Sequence, residues 1–347
     1  MHQHFASDNN AGMCPEALAA LVEANAQPHA PAYGDDSWTE RARAAVRNLL
    51  EAPDATVHFV FNGTAANAIA LAHLCRPYNS IIAHASSHIA TDEAGAPGYF
   101  TGGAWLRVAD REHAKLTPID IERLTAGGRG VHSTRPRVVS ITQSTEHGTV
   151  YTPDELAKLA AAARNAGLLV HMDGARLANA VAHLACPAAD VTWKAGVDVL
   201  CLGGVKNGLG VGEALVIFDG QLGAEVEWRI KQAGHLNSKM RLVTAPWARL
   251  IESGAWHANA RHANAMAGRL ARHITEMGGI PIMSPVEANA VFVDIPVAVQ
   301  RAVRERGWRF YTFAGETVCR LMCAWDTTVE SVDMFAADLK SAIGLAT

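Results

Sequence analysis

The stretch from Leu168 to Gly212 constrains this chain more than any other. It opens on the apolar run Gly167-Leu168-Leu169-Val170, enough for one buried strand, and continues as His171-Met172-Asp173-Gly174-Ala175-Arg176-Leu177-Ala178-Asn179. Asp173 therefore falls at the C-terminal end of a strand, where α/β sheets place ligands. A second apolar run, Val197 to Leu202, leads into Gly203-Gly204-Val205-Lys206-Asn207-Gly208-Leu209-Gly210. One lysine thus stands in a turn among four glycines, at the end of another buried strand.

Such a lysine is either a solvated loop residue or a Schiff-base lysine. The second needs desolvation, which lowers its pKa, and a close backbone approach that admits a planar aldehyde. A buried carboxylate on a neighbouring strand end would complement it by keeping a pyridinium nitrogen protonated. Asp173 and Lys206 fit that pair, and the Asp-Gly-Ala-Arg run favours the second reading.

The block HMDGARLANA resembles the motif of the low-specificity threonine aldolases and related β-eliminating lyases, pyridoxal-phosphate enzymes of the aspartate-aminotransferase-like fold. The resemblance extends, in the family's order, to Phe5-Ala6-Ser7-Asp8-Asn9, Tyr33-Gly34-Asp35-Asp36, Gly63-Thr64-Ala65-Ala66-Asn67, His88 through Pro97, and the lysine turn. It implies Lys206 as the cofactor-bearing lysine, Asp173 at the ring nitrogen, Arg176 at the ring hydroxyl and His88 stacked on the pyridine ring. Gly63 and Thr64 would take the phosphate. Ser7 and Arg320 would take the substrate carboxylate, with the Tyr33 turn nearby and Glu93 in the surroundings.

Composition sets the outer limits. A chain of 347 residues, 49% hydrophobic and 18% charged, can bury one large core or two smaller ones. A net charge of −4 leaves no basic footprint for nucleic acid. No apolar run approaches the length of a membrane span, and Met1-His2-Gln3-His4-Phe5 lacks a signal-peptide hydrophobic region. Six scattered cysteines show no disulfide rhythm, so a reduced, cytoplasmic protein is expected.

Along the chain, residues 1–36 read as an arm plus one helix opened by Pro15, and residues 37–242 as alternating strands and helices. Thr56 to Phe61 is a strand turning at Asn62-Gly63-Thr64 into an alanine-rich helix, whose N-terminus suits a phosphate. Arg137 to Thr142 is a strand, and Thr152-Pro153-Asp154-Glu155 is a capping box starting the next helix. His84 and His88 have the spacing of a helical metal pair, but no third ligand completes it and no metal is expected. Gly208-Leu209-Gly210-Val211-Gly212 has neither Rossmann nor Walker spacing, and the strand Glu213 to Phe218 follows it where a helix would be needed. Residues 243–347 read as long helices crossing to a smaller α+β domain, with strands at Ala290-Val293 and Thr317-Met322 and a final helix capped by Thr327 and Glu330. Arg320 lies inside an apolar strand and needs a partner there.

The expected fold is α/β: three layers, a mainly parallel sheet with helices on both faces, and a small C-terminal domain. The expected activity is pyridoxal 5'-phosphate-dependent retro-aldol cleavage of L-threonine-like β-hydroxy-α-amino acids (L-threonine, L-allo-threonine, L-phenylserine) to glycine and an aldehyde. Alternatives are β-elimination or racemisation on the same cofactor, or a cofactor-free assembly protein. The resemblance also implies a homotetramer of catalytic dimers. One departure stands out: where many family members carry Thr-His-Asn-Gly, this chain has Thr145-Glu146-His147-Gly148. The group that takes the β-hydroxyl proton is therefore open between Glu146, His88, His147 and a water.

Overall fold

Strands buried on both faces build the centre of the molecule. The computed structural model describes residues 4–26 and 28–346. Its larger sheet comprises β1 (Thr56–Val60), β2 (Asn79–His84), β3 (Trp105–Ala109), β4 (Arg135–Thr142), β5 (Leu169–Gly174), β6 (Val199–Leu202) and β7 (Glu213–Ile217), in the order β1-β7-β6-β5-β4-β2-β3. Only β7 runs against its neighbours. The carboxyl ends of β1, β2, β4, β5 and β6 therefore share one edge, the side on which open α/β sheets bind ligands. A second, antiparallel sheet has the order β8 (Ala290–Asp294), β10 (Val318–Met322), β9 (Tyr311–Ala314). The layered α/β architecture with a smaller C-terminal sheet is the one expected.

Helices cover the larger sheet for readable reasons. Thr152 accepts from the Glu155 N–H while Glu155 accepts from the Thr152 N–H, so the capping box forms as its spacing requires. The final helix differs by one residue from expectation. The Thr327 hydroxyl accepts from the Ala324 N–H at 2.8 Å, and Thr328 instead accepts from Ser331 N–H, so the helix begins at Val329. The expected crossing between the two sheets is made by one helix rather than two. Helix Arg241–Glu252 stays with the larger sheet, its Val243, Trp247 and Leu250 inside that core. Helix Ala255–Met277 leaves it, with Trp256 and Ala260 in the first core and Leu270 and Ile274 in the second. The N-terminal arm belongs to the second core: Phe5 is fully buried among Trp308 and Phe335, and its carbonyl accepts from Met322 N–H. Among the described residues no helix is long and apolar enough to cross a membrane.

At the β5–β6 boundary the two functional turns touch. Gly203 donates to the Gly174 carbonyl at 3.0 Å, and a Cβ on Gly203 would lie 2.4 Å from the Ala175 carbonyl oxygen. The neighbour is backbone, so it has no rotamer to escape into. We predict that Gly203→Ala destabilises the protein by ~1–3 kcal/mol through overpacking, seen as a lower urea midpoint with an unchanged slope. A wild-type midpoint would mean that the two turns can separate freely.

Candidate active site

Five strand ends converge on one cleft, lined by Gly63, Asn67, His88, Thr142, Ser144, Glu146, Asp173, Ala175, Arg176 and Lys206. Each comes from the turn or helix that follows a carboxyl end of the larger sheet: Gly63 and Asn67 after β1, His88 after β2, Thr142 to Glu146 at β4, Asp173 to Arg176 at β5, and Lys206 after β6. Sequence reasoning brought Lys206, Asp173, Arg176, His88, Glu146 and Gly63 forward, and the fold assembles all six.

Charge is dense and dry here. Lys206 is half-buried, and the desolvation of its ammonium lowers its pKa; Arg176 lowers it further, opposed by the carboxylates of Asp8, Asp173 and Glu213. Burial would raise the Asp173 pKa, but Lys206, the Asn67 amide, the Ala175 N–H and His88 together hold it below the usual carboxylate value. Asp173 Oδ1 accepts from Ala175 N–H at 2.9 Å and Oδ2 from Asn67 Nδ2 at 2.8 Å. It is an anion at neutral pH, able to keep a heterocyclic nitrogen protonated. Arg176 donates in a fork to Asp8, Nε to Oδ2 at 2.7 Å and Nη2 to Oδ1 at 3.0 Å, and Asn289 Nδ2 adds a bond to Oδ2 at 3.0 Å. These contacts outweigh burial and keep Asp8 ionised.

A second chain of bonds runs through Glu93. Its Oε1 accepts from His88 Nδ1 at 2.7 Å and from Asn67 Nδ2 at 2.8 Å, so a single amide links it to Asp173. The Glu93 bond is the main cause of a raised His88 pKa, ahead of the opposing burial. His88, Glu93 and Asp173 are also the residues whose donor atoms cluster within 4.8 Å, but hydrogen bonds already occupy that cluster.

The Glu146 carboxylate faces the cleft. It accepts from Thr142 Oγ1 at 2.8 Å and from His88 N–H at 2.9 Å, both at Oε1, while Oε2 is buried without a partner. Burial raises its pKa to about 7, a rise that Thr142 moderates and Asp173 augments. His147 points elsewhere, its ring 5.5 Å from Phe313, 6.1 Å from Phe292 and 6.3 Å from His84, and burial lowers its pKa. The two residues form the centre of a turn closed by Gly148 N–H donating to the Thr145 carbonyl at 2.9 Å, and that turn parts their side chains. The loop is held by Gln143, whose side chain exchanges two hydrogen bonds with the Tyr151 backbone.

The remaining expected residues lie around this cleft or away from it. Thr64 follows Gly63 at the start of helix Gly63–Leu74, where the Asn62 side chain accepts from Ala65 N–H. Ser7 caps a short turn through the Asn9 N–H. Arg320 is half-buried, with Nη2 3.4 Å from the Ala6 carbonyl and Nε unpartnered, and it senses Arg176 and Asp8 electrostatically. Tyr33 is not brought to the cleft within this chain: it is 50% exposed, with the Lys231 ammonium 4.9 Å over its ring. Asp8, Asn67, Asn289, Thr142 and Ser144 escaped sequence reasoning. Asp8 and Asn67 left a signal, each standing within a motif of the resemblance without a role attached to it.

A family model described as beta-eliminating lyase matches residues 4–298. The chain is 50% identical over 342 residues, 99% of its length and 98% of the other's, to the low specificity L-threonine aldolase of Pseudomonas aeruginosa. It is 49% identical to that of a Pseudomonas species, over 98% of this chain and 97% of the relative. A solved threonine aldolase structure from Leishmania major superposes with a TM-score of 0.92 at 30% identity, covering 98% of this chain and 99% of that one.

The Glu93 bond has a measurable consequence. Because the folded His88 pKa is raised above its ordinary value of 6.5, this contact stabilises the protein fully below about pH 6.5 and ceases to do so as pH rises through the folded value. We predict that Glu93→Gln lowers the His88 titration midpoint, measured by NMR on histidine-labelled protein, and flattens the stability difference across that window. An unmoved midpoint would show that Glu93 does not govern His88.

Proposed function

Because the chain belongs to the beta-eliminating lyase family, we propose that it is an aldehyde-lyase that uses pyridoxal 5'-phosphate to split L-threonine, L-allo-threonine and L-phenylserine into glycine and an aldehyde. The observation that carries this reading is the dry Lys206 beside an ionised Asp173, on a backbone half identical to L-threonine aldolases over nearly its full length.

The residues present suit such a cofactor. Buried polar atoms of Ser144, Glu93, Asn67 and Glu146 lack partners among the described residues, and the helix end at Gly63 and Thr64 offers N–H groups and a positive dipole to a phosphate. Lys206 would hold it covalently, Asp173 at the ring nitrogen, Arg176 at the ring hydroxyl and His88 against the ring face. When bound, it supplies an electron sink for the pair left on Cα as the Cα–Cβ bond breaks. The protein does the rest. Arg320 and Ser7 take the substrate carboxylate, Arg320 with a guanidinium that has an unused buried Nε–H. Asp8 keeps Arg176 from swinging toward that carboxylate by holding its fork. Glu146 accepts the β-hydroxyl proton. With a pKa near 7 it is available as a base at neutral pH, and its Oε2 has no partner among the described residues, whereas His88 Nδ1 is committed to Glu93.

We also assign the protein to a homotetramer of catalytic dimers in the cytoplasm. The exposed aromatics Phe61, Tyr99 and Trp228 support the assembly, and the six free cysteines a reducing compartment. Tyr33, exposed outside its own chain's cleft, is a residue that such an assembly would contribute to the substrate.

Two experiments test this. The purified protein loaded with pyridoxal phosphate should release acetaldehyde and glycine from L-threonine. Borohydride reduction and peptide mapping should place the label on Lys206, one of seven lysines. Pyruvate as product, or a label on Lys231 or Lys239, would overturn the assignment. For the base, kcat should rise with pH through about 7 as Glu146 loses its proton. Glu146→Gln should lower kcat by at least about tenfold and remove that rise, while His147→Ala changes kcat little. A strong loss in the His147 variant with an active Glu146 variant would transfer the role to His147.

A further inference from the structure

The turn that carries Lys206 is anchored almost everywhere by ordinary backbone bonds. Gly203 N–H donates to Gly174, Asn207 N–H and Leu209 N–H both donate to Gly204, and the Gly208 carbonyl accepts from Cys14 N–H. Asn207 Nδ2 donates to Trp256, and Asn259 Nδ2 donates to the Asn207 carbonyl. Two N–H groups just before the lysine are handled differently. Gly204 N–H donates to Glu213 Oε2 at 2.5 Å and Val205 N–H to the same oxygen at 3.3 Å.

This arrangement is possible because β7 is the one reversed strand. Running against β1 and β6, it delivers its first residue, Glu213, to the edge where its neighbours end, opposite Val60 and one step past the Leu202–Ala214 pair. Protein fills the space around the turn. A Cβ on Gly204 would lie 2.5 Å from the Trp247 ring and 2.6 Å from Leu209, so the turn is packed too tightly for a side chain there. Glu213 is itself buried, and an unpaired carboxylate there would be costly. Burial, with the Asp173 charge, pushes its pKa up to about 7, while the Gly204 and Val205 N–H groups and Lys206 favour the ionised form.

We propose that Glu213 is a positioning residue for Lys206, its carboxylate clamping the Gly204 and Val205 N–H groups so that the lysine projects into the cleft with a counter-charge behind it. The proposal rests on the assignment of Lys206 as the cofactor-bearing lysine. A neutral hydroxyl would satisfy the N–H groups equally well. When ionised, as it is above about pH 7, the carboxylate adds a field that favours the cationic form of the lysine nitrogen, together with Asp8 and Asp173 and against Arg176.

The test compares Glu213→Ala, which loses clamp and charge, with Glu213→Gln, whose amide oxygen keeps an acceptor but not the charge. Apoprotein is titrated with pyridoxal phosphate and followed by visible absorbance, then reduced with borohydride and mapped. Leaving two buried donors unsatisfied should weaken cofactor uptake by at least about tenfold in Glu213→Ala, with Glu213→Gln recovering most of the loss. In loaded Glu213→Gln the pH midpoint of the visible absorbance should fall, since removing an anion beside a cation lowers that cation's pKa. Wild-type uptake by Glu213→Ala overturns the clamp, and an unmoved midpoint in Glu213→Gln overturns the counter-charge; the latter is readable even if the alanine variant does not fold. A wild-type map showing another lysine labelled overturns the underlying assignment itself, which is a separate result from either.

Discussion

Keeping Lys206 and Asp173 out of water at the ends of adjacent strands is the constraint around which this structure is arranged. Each ion removed from water costs several kcal/mol even after relaxation, and a buried charge survives only with partners. The partners here are drawn from distant parts of the chain. Asn67 comes from the helix after β1, Ala175 from the backbone after β5, Asp8 and Arg176 from the arm and the β5 turn, and Glu213 from the reversed strand. Asn289 ties the second sheet to the same cluster through Asp8 and the Cys323 carbonyl. Cleft polarity and interdomain packing are thus one system, and a change to one charge is felt by the rest.

The same logic separates what the sequence disclosed from what it concealed. β4 to β7 were legible because strands buried on both faces must be continuous apolar runs, and glycine turns mark their ends. β2 and β3 were not. β2 is entirely buried, yet it is spelled Asn-Ser-Ile-Ile-Ala-His, with Asn79 spending its side chain on the Arg76 N–H and the Arg135 carbonyl. β3 is an edge strand whose Trp105 is 66% exposed, so no alternation announces it. The final cap slipped by one residue because Thr327 and Thr328 are equivalent in sequence, and only the preceding turn, through Ala324, decides which of them caps the helix.

Site residues follow a parallel division. Lys206, Asp173, Arg176, Gly63 and His88 were readable because each stands in a local motif at a strand end. Asp8, Asn67 and Asn289 were concealed because their roles are long-range. Asp8 meets Arg176 across 168 positions and Asn289 across 281, separations that no local pattern records. Asn67 lies inside an alanine-rich helix and looks like an ordinary helical polar residue, although its amide joins two carboxylates.

A glutamate at position 146, where the resemblance leads one to expect a histidine, has a physical rationale in this site. A histidine at this position would stand beside a His88 whose pKa Glu93 already raises, and two imidazoles competing for protons would push each other toward neutrality. A carboxylate instead gains from the His88 backbone N–H and Thr142, and it is lifted toward neutral pH by burial and by Asp173. The shifted His147 is absorbed by the aromatic contact with Phe292 and Phe313, where Gly148 (φ +74°) brings the loop against the second sheet. The side chain that faces the cleft thus has a pKa raised to about 7, while the imidazole is part of the packing between the two sheets. The turn closed by Gly148 N–H donating to the Thr145 carbonyl has these two residues at its centre, and it sends the first side chain to the cleft and the second to the aromatic contact.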